Sequence, residues 1–350
     1  MHGQSAALLA SMTLCDEVSL LAIDANGKIR WGILGTGGIA HKFAQGLAVL
    51  DDAQLVAVGS RSAATAEDFG TRYNIAQRYA TYAELANDPA VDVIYVATPH
   101  PYHKAHSLLC LQAGKAVLCE KPFTMDAAEA AAVIDYAHAH HLFLMEAMWV
   151  RFLPIFVRLR TLLSEGVIGD IQMVHADFSF RADFDPHGRL FDPALGGGAL
   201  LDAGIYPVSM ASMLLGPPAE IVRQTRFGET GVDEQTAILQ RYQQGQIAVL
   251  TTATRSSAPQ EVLIRGTAGY IRLTDWLGGT HMTITRSQQP DEQIDLPLTG
   301  NGYNYEAAEV MRCLRAGLLE SPIMPLTESL ALMHNLDAIR APWGLHYPTV

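Results

Sequence analysis

Lys121, Asp202 and Tyr206 are the residues of this chain whose types and placement suit acid–base chemistry. Lys121 follows a short apolar run, Ala116–Glu120, and precedes Pro122, which has no N–H to continue a strand ladder. A lysine in that position, held by its loop, points into a cleft. Asp202 and Tyr206 are spaced i and i+4, so on a helix they share one face, and they follow the loop Gly196-Gly197-Gly198. Taken alone, that pair also fits a capped helix with a packed tyrosine. The sequence contains no metal-ligand cluster, so side chains must do any proton transfer.

What would position these groups begins at Ile29. The run Ile29–Leu34 reads as a buried strand and leads through Gly35-Thr36-Gly37-Gly38-Ile39-Ala40 into a helical pattern ending near Leu50. Strand, G-x-G-x-x-A turn and helix in that order form the dinucleotide fingerprint. Gly35 allows the tight turn, Gly37 lets backbone approach a pyrophosphate, and Ala40 permits close helix–strand packing. Free N–H groups at the helix start favour the phosphates. The next strand, Gln54–Gly59, ends in Ser60-Arg61-Ser62, with no acidic residue to bind a ribose 2′-hydroxyl. An Arg guanidinium beside two hydroxyls suits a 2′-phosphate instead, so the cofactor expected is NADP, with NAD the alternative if Arg61 is a solvated loop charge. The apolar run at Val91–Ala97 ends in Thr98, His100 and His103. Strand ends of a doubly wound sheet hold ligands, so each histidine either touches the nicotinamide side or caps the helix that follows. Helices at Ala63–Tyr73, Thr81–Asn87, His103–Ala113 and Asp126–His140, with strands at Ala116–Glu120 and Leu142–Glu146, complete a parallel α/β sheet.

Composition narrows the functional classes. The chain has 350 residues, 49% of them hydrophobic, which predicts two cored domains. A formal charge of −12 without a basic cluster argues against a nucleic-acid partner. Four cysteines in no paired spacing fit a reducing, cytoplasmic location. No apolar run of about 20 residues predicts a membrane span, and no Lys or Arg precedes the mildly apolar stretch Ala6–Leu14, which disfavours a secretory leader. Residues 1–28 are expected to lie outside the fold, as a partly disordered extension, upstream sequence or a short capping helix. Beyond a helix at Arg151–Glu165, strand-like runs at Ile171–Phe180, Glu220–Phe227, Gln235–Tyr242, Gln246–Thr254, Glu261–Arg265, Tyr270–Leu273 and His281–Thr285 predict a meander. Helices Tyr303–Ala316 and Glu328–Ala341 close the chain, the second returning to the first domain.

Several segments together carry a family likeness: Arg30-Trp31-Gly32-Ile33, the stretch from Gly114 to Pro122, Leu142–Trp149 with Arg151-Phe152, Gly197–Asp202 with Gly204-Ile205-Tyr206, and Glu320-Ser321-Pro322. The chain resembles the glucose–fructose oxidoreductase/inositol dehydrogenase (Gfo/Idh/MocA) family, most nearly its branch of dimeric dihydrodiol dehydrogenases and NADP-dependent D-xylose dehydrogenases. The resemblance implies an NADP-binding Rossmann domain over 29–148 and a C-terminal α+β domain over 149–350 with an open, mostly antiparallel sheet. It implies a homodimer formed through that sheet, and hydride transfer between nicotinamide and a small polyol, sugar or dihydrodiol. It makes Lys121, Asp202 and Tyr206 the catalytic group. Tyr206 stands where much of the family has His. The mechanism expected is proton transfer by Tyr206, its pKa lowered by Lys121, with Asp202 orienting Lys121 or a substrate hydroxyl; in the competing version Lys121 moves the proton. Glu120 belongs to the cofactor side. Trp149, Arg151, Phe178, Trp276 and Tyr303 are candidates for the substrate pocket or for core packing. Arg151, in an apolar stretch, needs a buried acidic partner or an anion. A non-catalytic NADP-binding redox sensor and a nicotinamide-dependent glycosidase are the alternative functions.

Overall fold

The computed structural model describes residues 27–348. The extension expected at 1–28 lies outside the described residues apart from Gly27 and Lys28. In the first domain β1 (Ile29–Leu34), α1 (Gly38–Leu47), β2 (Ala53–Gly59), α2 (Ala63–Arg72), β3 (Gln77–Tyr79), α3 (Tyr82–Ala86), β4 (Val93–Val96), α4 (His103–Gln112), β5 (Ala116–Glu120), α5 (Ala127–Ala139) and β6 (Leu144–Ala147) alternate along the chain. The six strands form one parallel sheet in the order β3-β2-β1-β4-β5-β6. β4 and β5 are buried at every position, as continuous apolar runs covered by helices on both faces must be. The capping box Thr81/Glu84 starts α3, and the Asp126 side chain accepts from Glu129 N–H to start α5. β3 was not expected: three residues at a sheet edge carry too short a pattern, and its pairing with β2 is set by the neighbouring strand.

The second domain begins with α6 (Pro154–Ser164) and β7 (Ile171–Ser179), followed by α7 (Ile205–Leu215). Then come β8 (Glu220–Phe227), β9 (Asp233–Arg241), β10 (Ile247–Ala253), β11 (Glu261–Gly266), β12 (Gly269–Thr274), β13 (His281–Arg286) and β14 (Glu292–Asp295). They form an eight-stranded sheet ordered β14-β13-β12-β11-β7-β10-β9-β8. Its neighbours are antiparallel except β7 with β10. β14 is a short polar edge strand absent from the sequence reading. Arg151 falls in a 3-10 turn, Trp149–Phe152, ahead of the helix expected to contain it, because Pro154 fixes the start of α6.

α8 (Tyr303–Arg315) and α9 (Leu326–Arg340) follow, and α9 contacts both β6 and β8 and so ties the two sheets together. α8 packs on α1: a Cβ added at Gly46 would lie 3.0 Å from Asn304 N, so that approach requires glycine. α9 packs on α5, with Asp337 Oδ2 accepting from Ala127 N–H at 2.9 Å. The segment Pro193–Leu215 is apolar and long enough to cross a membrane, but 83% of its most apolar window is buried in the protein. It is a core segment and contains Asp202.

Candidate active site

The carboxyl edge of the parallel sheet presents β5, which delivers Glu120 and Lys121, to the segment before α7. Lys121 Nζ donates to the Asp202 carbonyl oxygen at 2.7 Å and approaches Asp202 Oδ1 at 3.5 Å. The same Oδ1 accepts from Arg189 Nη1 at 2.6 Å. Burial alone would raise the Asp202 pKa, but the Lys121 and Arg189 cations outweigh it and hold the carboxyl below its ordinary range. Asp202 is therefore an acceptor throughout neutral pH.

The backbone around Asp202 differs from the regular helix that the i, i+4 spacing predicts. Leu200–Gly204 is a single π-helical turn running into α7, a device concentrated at functional sites. Asp202 and Tyr206 still meet at the Lys121 ammonium, which lies 4.8 Å from the centroid of the Tyr206 ring. The ammonium faces the ring rather than bonding the hydroxyl. The Tyr206 oxygen instead accepts from Trp149 Nε1 at 3.1 Å. Burial pushes the phenol well above its usual range, and the Glu120 carboxylate pushes it further. The expectation that Lys121 lowers this pKa is thus corrected: in this geometry Tyr206 is a firmly protonated phenol, because its surroundings are dry and anionic.

Three of the five aromatic and basic pocket candidates gather at Tyr206. Trp149 stacks on Tyr303 with centroids 4.8 Å apart, and Phe178 meets the Tyr206 ring edge-to-face at 5.4 Å. Trp276 is fully buried, donates Nε1 to Asp177 O at 2.8 Å and packs on Phe156. Together with Arg151 and Tyr206 it lines a small internal cavity behind the phenol. The Arg151 guanidinium is buried, donating to Ser209 Oγ and O at 2.9 Å and to Glu328 Oε1 at 2.5 Å, which supplies the acidic partner it needs.

On the cofactor side, Gly35 has φ +105°, and a Cβ there would meet Ala97 O at 3.0 Å. At Gly37 an added Cβ would meet no protein atom within 4 Å. The space over that residue is open, and α1 begins there with no side-chain cap and no acid in its first turn. Gly38 is also exposed, and Thr36 and Ile39 flank it half-buried. An uncapped helix N-terminus below open space fits a pyrophosphate. Ser60 Oγ bridges Thr65 Oγ1 at 2.6 Å and Thr36 Oγ1 at 3.5 Å. Arg61 and Ser62 are exposed, and Arg61 forms no ion pair among the described residues. Thr98 Oγ1 bonds His106 Nδ1 at 3.0 Å. His103 places its two ring nitrogens 2.8 Å from Pro122 O and 2.7 Å from Thr98 O. Burial favours the neutral ring, whose single N–H donates to one of these carbonyls, and His103 so ties the Lys121 loop to the end of β4. His100 Nδ1 is buried without a partner, and burial pushes its pKa down to about 3. It is a neutral imidazole beside Asp202 and Lys121. No cluster of three or more metal-ligating side chains occurs among the described residues.

Sequence reasoning missed Arg189, a cation ahead of the triple-glycine loop whose reach to Asp202 depends on how that loop folds. It missed Asp233 as well, whose Oδ2 accepts from Leu200 N–H at 2.6 Å and anchors the π turn.

The parallel sheet in 3-2-1-4-5-6 order, its glycine turn and the proton-handling cluster at its edge define an NAD(P)-binding oxidoreductase. A model described as "Oxidoreductase family, NAD-binding Rossmann fold" matches residues 29–148, and the GFO/IDH/MocA C-terminal domain matches residues 156–272. The chain belongs to the GFO/IDH/MocA oxidoreductase family. It is 39% identical to mouse trans-1,2-dihydrobenzene-1,2-diol dehydrogenase over 91% of this chain and 98% of that one. The human enzyme of that name is 38% identical over the same shares. A 3-ketoreductase from Actinomadura kijaniata, crystallised with NADP and TDP-benzene, superposes with TM-score 0.81 at 28% identity, covering 90% of this chain and 98% of that one. The aldose–aldose oxidoreductase of Caulobacter crescentus shares the fold, with TM-score 0.82 at 23% identity, over 90% and 97% of the two chains.

Proposed function

We propose that this protein is an NADP-dependent oxidoreductase acting on a carbinol or carbonyl of a small polyol, sugar or dihydrodiol. The observation that carries this is the convergence of Lys121, Asp202 and Tyr206 at the carboxyl edge of the cofactor-binding sheet. When bound, the nicotinamide supplies or accepts the hydride. Gly35–Ile39 would hold the pyrophosphate, with the exposed Arg61 and Ser62 on a 2′-phosphate, and Thr98, His100 and Glu120 bound the nicotinamide side. In reduction, the Tyr206 phenol gives its proton to the substrate oxygen. The Lys121 ammonium hydrogen-bonds that oxygen while Asp202 holds the ammonium in place. Trp149 Nε1 faces the Tyr206 oxygen and stabilises the phenolate left behind. The Trp149/Tyr303 stack and Phe178 make an apolar wall for a ring substrate.

The first test is nicotinamide absorbance with NADP and NAD against a trans-dihydrodiol, D-xylose and D-glucose, and in reverse against a dicarbonyl. Turnover with NADP supports the assignment, and silence with all of them sinks this substrate range. The relatives named trans-1,2-dihydrobenzene-1,2-diol dehydrogenase make the dihydrodiol the substrate expected first.

Arg61→Ala tests the cofactor. A charge-assisted hydrogen bond contributes about 1.5–3 kcal/mol, so KM for NADP is expected to rise about 10- to 100-fold while KM for NAD stays near wild type. Equal changes for both cofactors would remove Arg61 from the 2′-phosphate.

The partner proposed is a second copy of this chain. Val222, Leu239, Val249, His175, Leu263 and Arg272 are successive cross-strand partners, so they line one face of the large sheet. Val222 and Leu239 are 52% and 44% exposed. A broad sheet face with apolar residues at its centre suits an isologous dimer. Leu239→Glu places a charge on this face of each copy and is expected to convert a dimer to monomer in light scattering. A wild-type monomer would end this proposal. The cytoplasm remains the location proposed, consistent with the free thiols of Cys110, Cys119 and Cys313.

A further inference from the structure

Helix α8 brings to the back of the site a carboxyl group that the reaction above does not use. Glu306 lies in the first turn of α8, is fully buried, and neither of its carboxyl oxygens has a hydrogen-bond partner. An acid in the first helical turn ordinarily faces water and gains from the helix dipole. Here the start of α8 is docked instead. Tyr303 stacks on Trp149, and a Cβ at Gly302 would meet the Trp149 ring at 2.9 Å. That seating turns Glu306 inward, toward Glu120.

The groups that face Glu306 are Glu120 from β5, Tyr95 from β4, Tyr206 from α7 and Tyr303 from its own helix. None is a cation. Burial raises the Glu120 pKa too, but Glu120 has partners that offset it: it accepts from the Tyr95 hydroxyl and from Lys121 N–H at 3.1 Å, and its side chain lies near the Lys121 ammonium. Glu306 has none of these partners. Two neighbouring buried carboxyls cannot both ionise without compensation, and the better-solvated one keeps the charge.

We propose that Glu306 holds the proton of a carboxyl pair with Glu120, so that a single negative charge stands behind Lys121 and Tyr206. Glu306 is then a positioning residue acting through charge. When Tyr206 gives up its proton in reduction it becomes an anion, and an ionised Glu306 beside it would oppose that step. The link to Tyr206 rests on the oxidoreductase reading; the protonation state does not.

The test uses the cofactor-free protein and the Glu306→Gln variant, a neutral isostere. The infrared difference spectrum, wild type minus variant, at about pH 8 is expected to contain the carbonyl band of an un-ionised carboxyl. Glu146 and Asp233, which burial pushes up to about 7, are present in both proteins and cancel. In Glu120→Gln the Glu306 band is expected to disappear at lower pH, because the like charge is gone. Absence of the band, or an unmoved titration in Glu120→Gln, would overturn the pair.

Thermal stability gives a second readout. A carboxyl with a raised folded pKa contributes stability that is fully present below its unfolded pKa of about 4.3 and is lost as pH rises toward the folded value. The Tm of Glu306→Gln is therefore expected to gain on wild type from pH 5 to 8, whereas a merely structural role gives a constant gap. With turnover measured, the alkaline fall of kcat for reduction is expected at higher pH in Glu306→Gln. Coincident profiles would sever the link to Tyr206 while leaving the infrared result standing.

Discussion

Tyr206→Phe is expected to lower kcat for reduction about 100- to 10,000-fold, the range that general acid catalysis supplies, while the Kd for NADPH measured by fluorescence stays near wild type. The substitution removes one oxygen and keeps the ring, so the edge-to-face contact with Phe178 and the approach of the Lys121 ammonium to the ring face survive. What is lost is the proton and the acceptor for Trp149 Nε1. The buried phenol favours its neutral form, which suits a donor. In oxidation the same group must ionise first, so an alkaline optimum is expected in that direction. If Tyr206→Phe turns over at near-normal rate, the proton comes from Lys121 and the phenol is a binding group.

Lys121→Met is the second large effect expected. The ammonium has three connected tasks: it bonds the Asp202 carbonyl, lies over the Tyr206 ring and counters the buried Glu120 carboxylate. Its loss removes the donor to the substrate oxygen and leaves Asp202 with Arg189, whose side chain is 61% exposed. Turnover is expected to fall about 100- to 10,000-fold. The pH profile should change as well. Asp202 is ionised at neutral pH because Lys121 and Arg189 overcome its burial. With one cation removed its pKa rises, so the residual kcat/KM is expected to gain an acid limb absent from wild type. A flat residual profile would mean that Arg189 alone holds the Asp202 charge. Lys121→Arg is not expected to rescue, since a planar guanidinium does not reproduce a compact ammonium.

The sequence by itself determined the parallel half of the fold apart from the short edge strand β3. Continuous apolar runs such as Val93–Val96 and Ala116–Glu120 are strands covered on both faces, and their local pattern needs no tertiary information. The glycine turn was legible for the same reason: Gly35 and Gly37 are required by backbone geometry within a few residues. Lys121 could be picked out because Pro122 ends its strand.

Tertiary structure decided what depends on distant neighbours. Trp276 and Arg151 line a small cavity with Tyr206, but it is Asp177, Phe156, Ser209 and Glu328, from distant segments, that fix their polar groups and rings. The spacing of Asp202 and Tyr206 predicts a common helix face, but Asp233, from a strand of the large sheet, anchors a π turn there. Glu306 was not singled out in the sequence, and only the docking of α8 on α1 and Trp149 buries it. The protonation of Tyr206 is not legible in the sequence, because a pKa is set by desolvation and by charges from separate segments. Periodicity and turn chemistry act over a few residues and can be read along the chain; burial and electrostatics sum over groups that only folding brings together.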